Sequence, residues 1–371
     1  MPYGESVLPT YPQTHDMWDS LAKERRPIVV YGMGNGADKL IKRLEKYNVE
    51  IADFFASDGF VRGHSFHGKR VKSFSEIKSE YSDFVILLSF ASNRNEVLDM
   101  LISIDNEYDM LVPDMPVSGE EEYFDREFYN NHYQEIVKAH GALCDEDSKN
   151  AFASIINYKL TGRLEYLLDA YSTKDDMYAL LSEDIKTYVD VGAYNGDTLA
   201  EAIRYFPLLD TAVAIEPDAK NFKKLAKYAQ DLKIKTQLYN AAAWSECTGG
   251  VLTSSGNRNS SVNSTASYEH KQNEVELITV DKAVFGHEDV GYLKYDVEGA
   301  EYEAILGSIN TIEEYTPTML VSLYHRSRDI FELVNLINER WGNRYNLYIR
   351  RLRCTPAWEI NLICIPRKNN D

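Results

Sequence analysis

The residues whose types and spacing could do chemistry lie mostly in the second half of the chain. In YVDVGAYNGDT (Tyr188–Thr198) an apolar strand runs into Asp190, and Gly192 and Gly196 then bracket a tight turn into a helix. Glycines let the backbone approach a ligand, and the first turn of a helix presents unpaired amides. Against a pyrophosphate, an acidic strand end would be unwelcome. Asp190 instead suits a ligand that carries an ammonium or another donor. AIEPD follows, with Glu216 at the tip of the next strand, 20 residues beyond Gly196. A carboxylate in that place accepts the two hydroxyls of a ribose.

A ribose without phosphate, next to an amino acid, describes S-adenosylmethionine. NAAAW (Asn240–Trp244) follows the third strand and either lines an adenine or caps a strand and fills a core. LKYDVEGAE (Leu293–Glu301) puts Asp296 at the end of the fourth strand, where ligands of open parallel sheets collect. Asp296, Glu298 and Glu301 have three readings. They are solvated carboxylates at a helix start, oxygen ligands of a divalent cation, or a group whose mutual repulsion makes one of them a base. His325 follows the fifth strand and, titrating near neutrality, is the expected general base; its bland alternative is a satisfied hydrogen-bonding residue. Arg350, Arg351 and Arg353 either bind an anionic group of the substrate or pair with local acids.

With DVGAYNGDT, IEPDAKNF, NAAAW, the TVD at Thr279–Asp281, LKYDVEGAE, SLYHR at Ser322–Arg326 and the closing NLYIRRLRC...WEINLICIP, residues 140–366 resemble the FkbM family of S-adenosylmethionine-dependent methyltransferases. The resemblance implies an O-methyltransferase acting on a hydroxyl of a sugar, glycan or related small metabolite. The cofactor residues expected on these combined grounds are Asp190, Gly192, Ala193, Asn195, Gly196, Thr198, Glu216, Pro217, Asn240, Ala241, Ala242 and Asp296. Catalysis is expected from His325 and Asp296, with a divalent metal at Asp296, Glu298 and Glu301 as the further option. Asn195 departs from the many relatives that carry an acidic residue before this glycine, a change that should not harm cofactor binding.

Near the N-terminus, IVVY (Ile28–Tyr31) leads into GMGNGA (Gly32–Ala37), a G-x-G-x-x-A fingerprint with Asp58 21 residues after Ala37. The segment also resembles the nucleotide-binding-type domain of sugar-modifying acyltransferases and some FkbM proteins, with GHSFHGKRVKSFSEI (Gly63–Ile77) as its linker pattern. It either binds a nucleotide-sugar or is an inherited scaffold. A nicotinamide-dependent oxidoreductase built on this segment is the second functional reading. A non-catalytic scaffold in a glycan pathway is the third.

The elements that must position these residues read as α/β. Strands alternate with helices over 20–115, a helical connector spans 116–170, and alternation resumes over 171–371. The expected architecture is two Rossmann-like domains, the second a class I methyltransferase sheet of seven strands with an antiparallel hairpin edge. Candidate strands there are Thr187–Val191, Thr211–Ile215, Lys235–Tyr239, Tyr292–Tyr295, Met319–Leu323, Tyr345–Arg350 and Ile360–Ile365, with helices between the first five. Ser254–Asn273 reads as a long loop over the sheet's edge.

In the 371 residues, 40 Lys and Arg stand against 58 Asp and Glu, a formal charge of −18 that repels nucleic acid phosphates and anionic lipid. Four cysteines without regular spacing exclude a thiolate zinc site and a disulfide framework. No apolar run approaches the ~20 residues of a bilayer helix, and the expected location is the cytoplasm.

Overall fold

The structure is a computed structural model that describes residues 6–118, 122–168, 171–182, 184–247, 249–254, 260–263 and 272–368. Its first sheet has five parallel strands: β1 (Ile28–Tyr31), β2 (Asp53–Ala56), β3 (Lys72–Ser73), β4 (Val85–Leu88) and β5 (Asp109–Leu111), in the order β3-β2-β1-β4-β5. β1, β2 and β4 are buried along their whole length, as strands covered on both faces must be. After β1 the glycine turn opens helix α1 (Asn35–Glu45). Gly36 makes this packing possible, since a Cβ there would lie 2.1 Å from the Ser89 carbonyl oxygen.

The helices α2 (Arg126–Asn131), α3 (Tyr133–Ala142) and α4 (Glu146–Thr161) follow. α4 starts where DEDS suggested, with the Asp145 carboxylate accepting from the Ser148 amide at 2.9 Å.

The second sheet begins with β6 (Thr187–Val191), helix α5 (Asp197–Tyr205), β7 (Thr211–Ile215), helix α6 (Ala219–Ala229) and β8 (Lys235–Tyr239). A four-stranded sheet comes next: β9 (Ala241–Ala243), β10 (Gly249–Ser254), β11 (Ser260–Asn263) and β12 (Gln272–Ile278), in the order β9-β12-β10-β11, and the expected helix before the next main strand is a single turn, Val280–Ala283. The expected Ser254–Asn273 loop is therefore partly strand, while 255–259 and 264–271 lie outside the described residues. The chain re-enters the main sheet with β13 (Tyr292–Tyr295), helix α7 (Glu301–Leu306), β14 (Thr318–Ser322), helix α8 (Asp329–Trp341), β15 (Tyr345–Arg351) and β16 (Ile360–Pro366). The seven strands run β8-β7-β6-β13-β14-β16-β15. β16 runs opposite to the other six strands, because the hairpin folds its second arm in between β14 and β15.

Register does functional work at the centre of this sheet. β6 and β13 pair Tyr188 with Tyr292 and Asp190 with Lys294. The two tyrosine rings stack with centroids 5.1 Å apart, and two residues further along the same face the carboxylate and the ammonium meet. One continuous apolar core joins the sheets through the helices between them: Val29 and Ile86 from the first sheet, Phe152 and Ile155 from α4, and Val189 and Leu293 from the second all belong to it. Among the described residues, no helix is long and apolar enough to cross a membrane.

Candidate active site

A cleft of about 400 Å³ opens along the carboxyl edge of the second sheet. Gly192, Tyr194 and Thr198 line it from the turn after β6, Glu216 and Pro217 from the tip of β7, and Asp296 and Glu298 from the turn after β13. Tyr324 beyond β14, and Leu352, Glu359 and Asn361 around the final hairpin, form its other end. Gly192 is required here. It has φ +94°, and a Cβ would sit 1.9 Å from the Asp296 carbonyl oxygen, so a side chain would force the tips of β6 and β13 apart.

Glu216 takes two backbone amides, from Tyr194 at 2.9 Å and Asp218 at 2.8 Å. Burial nevertheless pushes its pKa up to about 7, against the pull of those amides. A carboxylate has about four lone-pair sites, so two remain for hydroxyl donors in the cleft. Asn240 donates its side-chain amide to the carbonyls of Glu216 at 2.9 Å and Pro217 at 3.1 Å, fastening this wall from outside.

Asp190 is wholly buried and does not reach the cleft. One oxygen accepts from the Thr198 hydroxyl at 2.5 Å, and the other lies 3.8 Å from the Lys294 ammonium without a hydrogen bond. Burial raises its pKa to about 6, with Lys294 and Thr198 opposing. Lys294 also lies 3.4 Å from Asp296. Burial works against its charge, but Asp296 and Asp190 together hold its pKa above the usual lysine range.

The expected contacts therefore divide. Gly192, Thr198, Glu216, Pro217, Ala242 and Asp296 line the cleft, whereas Asp190, Ala193, Asn195, Gly196, Asn240 and Ala241 do not. Lys294, Tyr324, Glu359 and Asn361 line it and were not anticipated. Lys294 had a signal, since a strand-by-strand register would have put it beside Asp190. Glu359 and Asn361 had none, because their place depends on which way the last hairpin folds.

His325 differs most from expectation. Its ring is wholly buried behind the cleft, 2.9 Å from Glu301 through Nδ1, and 3.5 Å from Asp296 and 3.6 Å from Glu298 through Nε2. None of these contacts has hydrogen-bond alignment; they are charge contacts. Burial alone would lower the histidine pKa, but Glu301, Asp296 and Glu298 outweigh it and raise it to about 10. The raised pKa favours the imidazolium, the form without a free lone pair for a substrate proton. A raised pKa argues against the expected role of general base; the Ser118 amide donates to the His325 backbone carbonyl at 2.9 Å.

The donor atoms of Asp296, Glu301 and His325 lie within 4.8 Å of one another, a spacing a metal ion could also use. Glu298 is pushed up to about 7 by burial, with Asp296 and Glu301 adding and His325 opposing. Lys294 and His325 outweigh the effect of burial on Asp296 and keep its pKa below the usual carboxylate range.

The arginines resolve toward local pairing. Arg350 meets Asp145 at 2.6 Å, Arg353 meets Asp99 at 2.6 Å, and the buried Arg351 donates to the carbonyls of Leu167 and Cys354.

A second cleft, about 460 Å³, lies at the carboxyl edge of the first sheet between β1 and β4, lined by Met33, Gly36, Leu88, Phe90, Met115 and Trp358 among others. Asp58 is not part of it. Its carboxylate accepts from the Ser75 amide at 3.1 Å and hydroxyl at 2.5 Å.

Residues 190–345 match the family model described as the methyltransferase FkbM domain, and residues 24–110 match the C2185-like N-terminal family. No curated protein sequence matches the chain. Among solved structures, the chain is similar to the methyltransferase FkbM from Methylobacillus flagellatus KT. The match has a TM-score of 0.65 and 19% identity, covering 92% of this chain and 90% of that one. Lesser overlaps include an rRNA methylase from Streptococcus thermophilus (TM-score 0.34, 12% identity, covering 52% and 93%). Another is Aeropyrum pernix fibrillarin in complex with S-adenosyl-L-methionine (TM-score 0.32, 11% identity, covering 50% and 68%). With the α/β architecture, the cleft at the strand tips and the domain match in agreement, the chain carries a methyltransferase FkbM domain at residues 190–345.

Proposed function

We propose that the protein transfers the methyl group of S-adenosylmethionine to a hydroxyl of a sugar, glycan or related metabolite. The observation that carries this reading is the sign of the cleft. Among the described residues, Asp197, Glu201, Glu216, Asp218, Asp296, Glu298 and Glu359 line it, against Lys174 and Lys294. A ligand with a sulfonium and an ammonium is favoured there, and a dinucleotide pyrophosphate is not. In this reading Glu216 receives the ribose hydroxyls, Gly192 lets the cofactor approach the backbone, and the Asp190–Lys294–Asp296 chain orients Asp296 at the cleft's floor. Holding donor and acceptor in line supplies most of the acceleration, on the order of 7–11 kcal/mol for a well-oriented pair.

The acceptor proton goes to Glu298, which lines the cleft, while buried His325 keeps the surrounding carboxylates in place by its charge. Thermal-shift titration with S-adenosylmethionine, NAD and a nucleotide-sugar tests the assignment, because a ligand specific for the folded state raises its stability. The expected result is stabilisation by S-adenosylmethionine that weakens ten-fold or more in Glu216→Ala. Stabilisation by NAD alone would overturn the assignment in favour of an oxidoreductase. Lack of effect from a chelator on activity would dispose of a divalent cation at Asp296. The nucleotide-sugar arm, read in Gly34→Val, tests the glycine turn beside the first-sheet cleft, where a side chain is strained at φ +107°.

A further inference from the structure

The end of the cleft away from Glu216 carries side chains of one sign. Glu201 reaches it from α5, Glu298 from the turn after β13 and Glu359 from the residue before β16, beside the neutral Tyr324 and Asn361. The two lysines in the wall are committed. Lys294 lies between Asp190 and Asp296, and Lys174 meets Glu201 at 2.6 Å. Among the described residues, no lining arginine or histidine adds to them. An anionic group entering this end would face carboxylates with no cation free to receive it, in a recess where water screens charge poorly.

Glu298 and Glu359 share a second property. Both hold the left-handed backbone that side chains other than glycine avoid, with φ of +55° and +57°. Such conformations persist where the surroundings impose them, and they gather at ligand sites. At Glu359 the constraint is visible: its backbone carbonyl accepts from the Leu352 amide at 3.0 Å and the Asn361 side chain at 3.0 Å. The carboxylate itself has no hydrogen-bond or ion-pair partner among the described residues, although it lines the cleft.

We propose that the acceptor is a hydroxyl compound bearing an amine, of the amino-sugar or amino-cyclitol class, whose ammonium is received by Glu359. Phosphorylated and carboxylated acceptors are turned away by the same charges. The inference rests on the methyl-transfer reading and narrows its acceptor: a sugar still attached to a nucleoside diphosphate does not fit this cleft. An ammonium supplies three donors to a group that otherwise has none, and a charge-assisted contact of this kind is about twice as strong as a neutral one.

The test keeps one scaffold and varies its charge. The full chain, with and without S-adenosylhomocysteine, is titrated calorimetrically with glucosamine, glucose and glucose 6-phosphate. Glucosamine is expected to bind at least ten-fold tighter than glucose, and glucose 6-phosphate more weakly than either. Glu359→Gln removes the preference for glucosamine and leaves S-adenosylhomocysteine affinity unchanged. Glu201→Gln releases Lys174 and brings glucose 6-phosphate up toward glucose. The proposal is overturned if glucose 6-phosphate binds as tightly as glucosamine, if glucosamine shows no binding, or if its advantage survives Glu359→Gln. Failure of S-adenosylhomocysteine to bind would count against the cofactor reading separately, and the three sugars without it still decide the charge of the acceptor end.

Discussion

A buried histidine among carboxylates and an exposed one have opposite chemistry, and His325 shows why position decides. Its raised pKa favours the charged ring, so removing it leaves the buried Glu301 carboxylate with the Val297 amide at 2.8 Å but without its countercharge. Breaking a buried pair by deleting one partner costs roughly 3–5 kcal/mol. His325→Gln should therefore lower the melting temperature markedly, which a plain general base would not do. Glu298→Gln should keep the melting temperature and cofactor affinity while lowering turnover about 10²–10⁴-fold. Equal activity of Glu298→Gln and wild type would move the base elsewhere. The residue types at this site were legible from LKYDVEGAE and SLYHR, but their roles were not. A sequence places His325 after a strand; it does not show that residues 118 and 122 fold over it, with the Ser327 hydroxyl donating to the Glu122 carbonyl at 2.6 Å.

Among the elements, the seven strands of the main sheet were readable because β-branched and aromatic runs alternate with amphipathic helices. The four-stranded sheet between β8 and β13 was not, since its Ser- and Asn-rich stretch has the composition of a loop. The turn after β6 was readable for a physical reason that now gives a test. Gly192→Ala puts a Cβ against the Asp296 carbonyl oxygen at a φ that alanine resists, so stability should fall by more than about 1 kcal/mol. Chemical denaturation measures this, and an unchanged midpoint would mean that the strand tips give way freely.

α4 and β15 meet through Asp145, which caps the helix and also binds Arg350. Burial would raise the Asp145 pKa, but Arg350 and Ser148 prevail and hold it below the usual aspartate value. That stabilisation is complete above the unfolded pKa of about 3.9, and fades as pH falls through that value toward the lower folded one. Asp145→Asn should thus destabilise by about 1–2 kcal/mol at pH 7, and the gap to wild type should narrow below pH 4. A gap that is constant with pH would assign the effect to the cap alone.

For the whole molecule, the question is whether two sheets unfold as two bodies. Chains with two domains usually depart from two-state behaviour. Here the apolar core runs from β1 and β4 through α4 into β6 and β13 without a break. The final hairpin ties the same parts together: Thr355 and Ser92 exchange backbone hydrogen bonds at 2.7 and 3.0 Å, Arg353 reaches Asp99, and Cys144 donates its amide to the Leu347 carbonyl. The loop between β15 and β16 gives Leu352 and Glu359 to one cleft, and Pro356 and Trp358 to the other. A single calorimetric transition is therefore expected for the full chain, with equal calorimetric and van't Hoff enthalpies. A chain ending at Arg344 lacks β15 and β16, so it exposes the edge of β14 and both sets of tethers are lost. It should not fold cooperatively, even though it retains nearly all of the FkbM domain. Two separable transitions in the full chain, or cooperative melting of the shortened one, would show that each sheet stabilises itself.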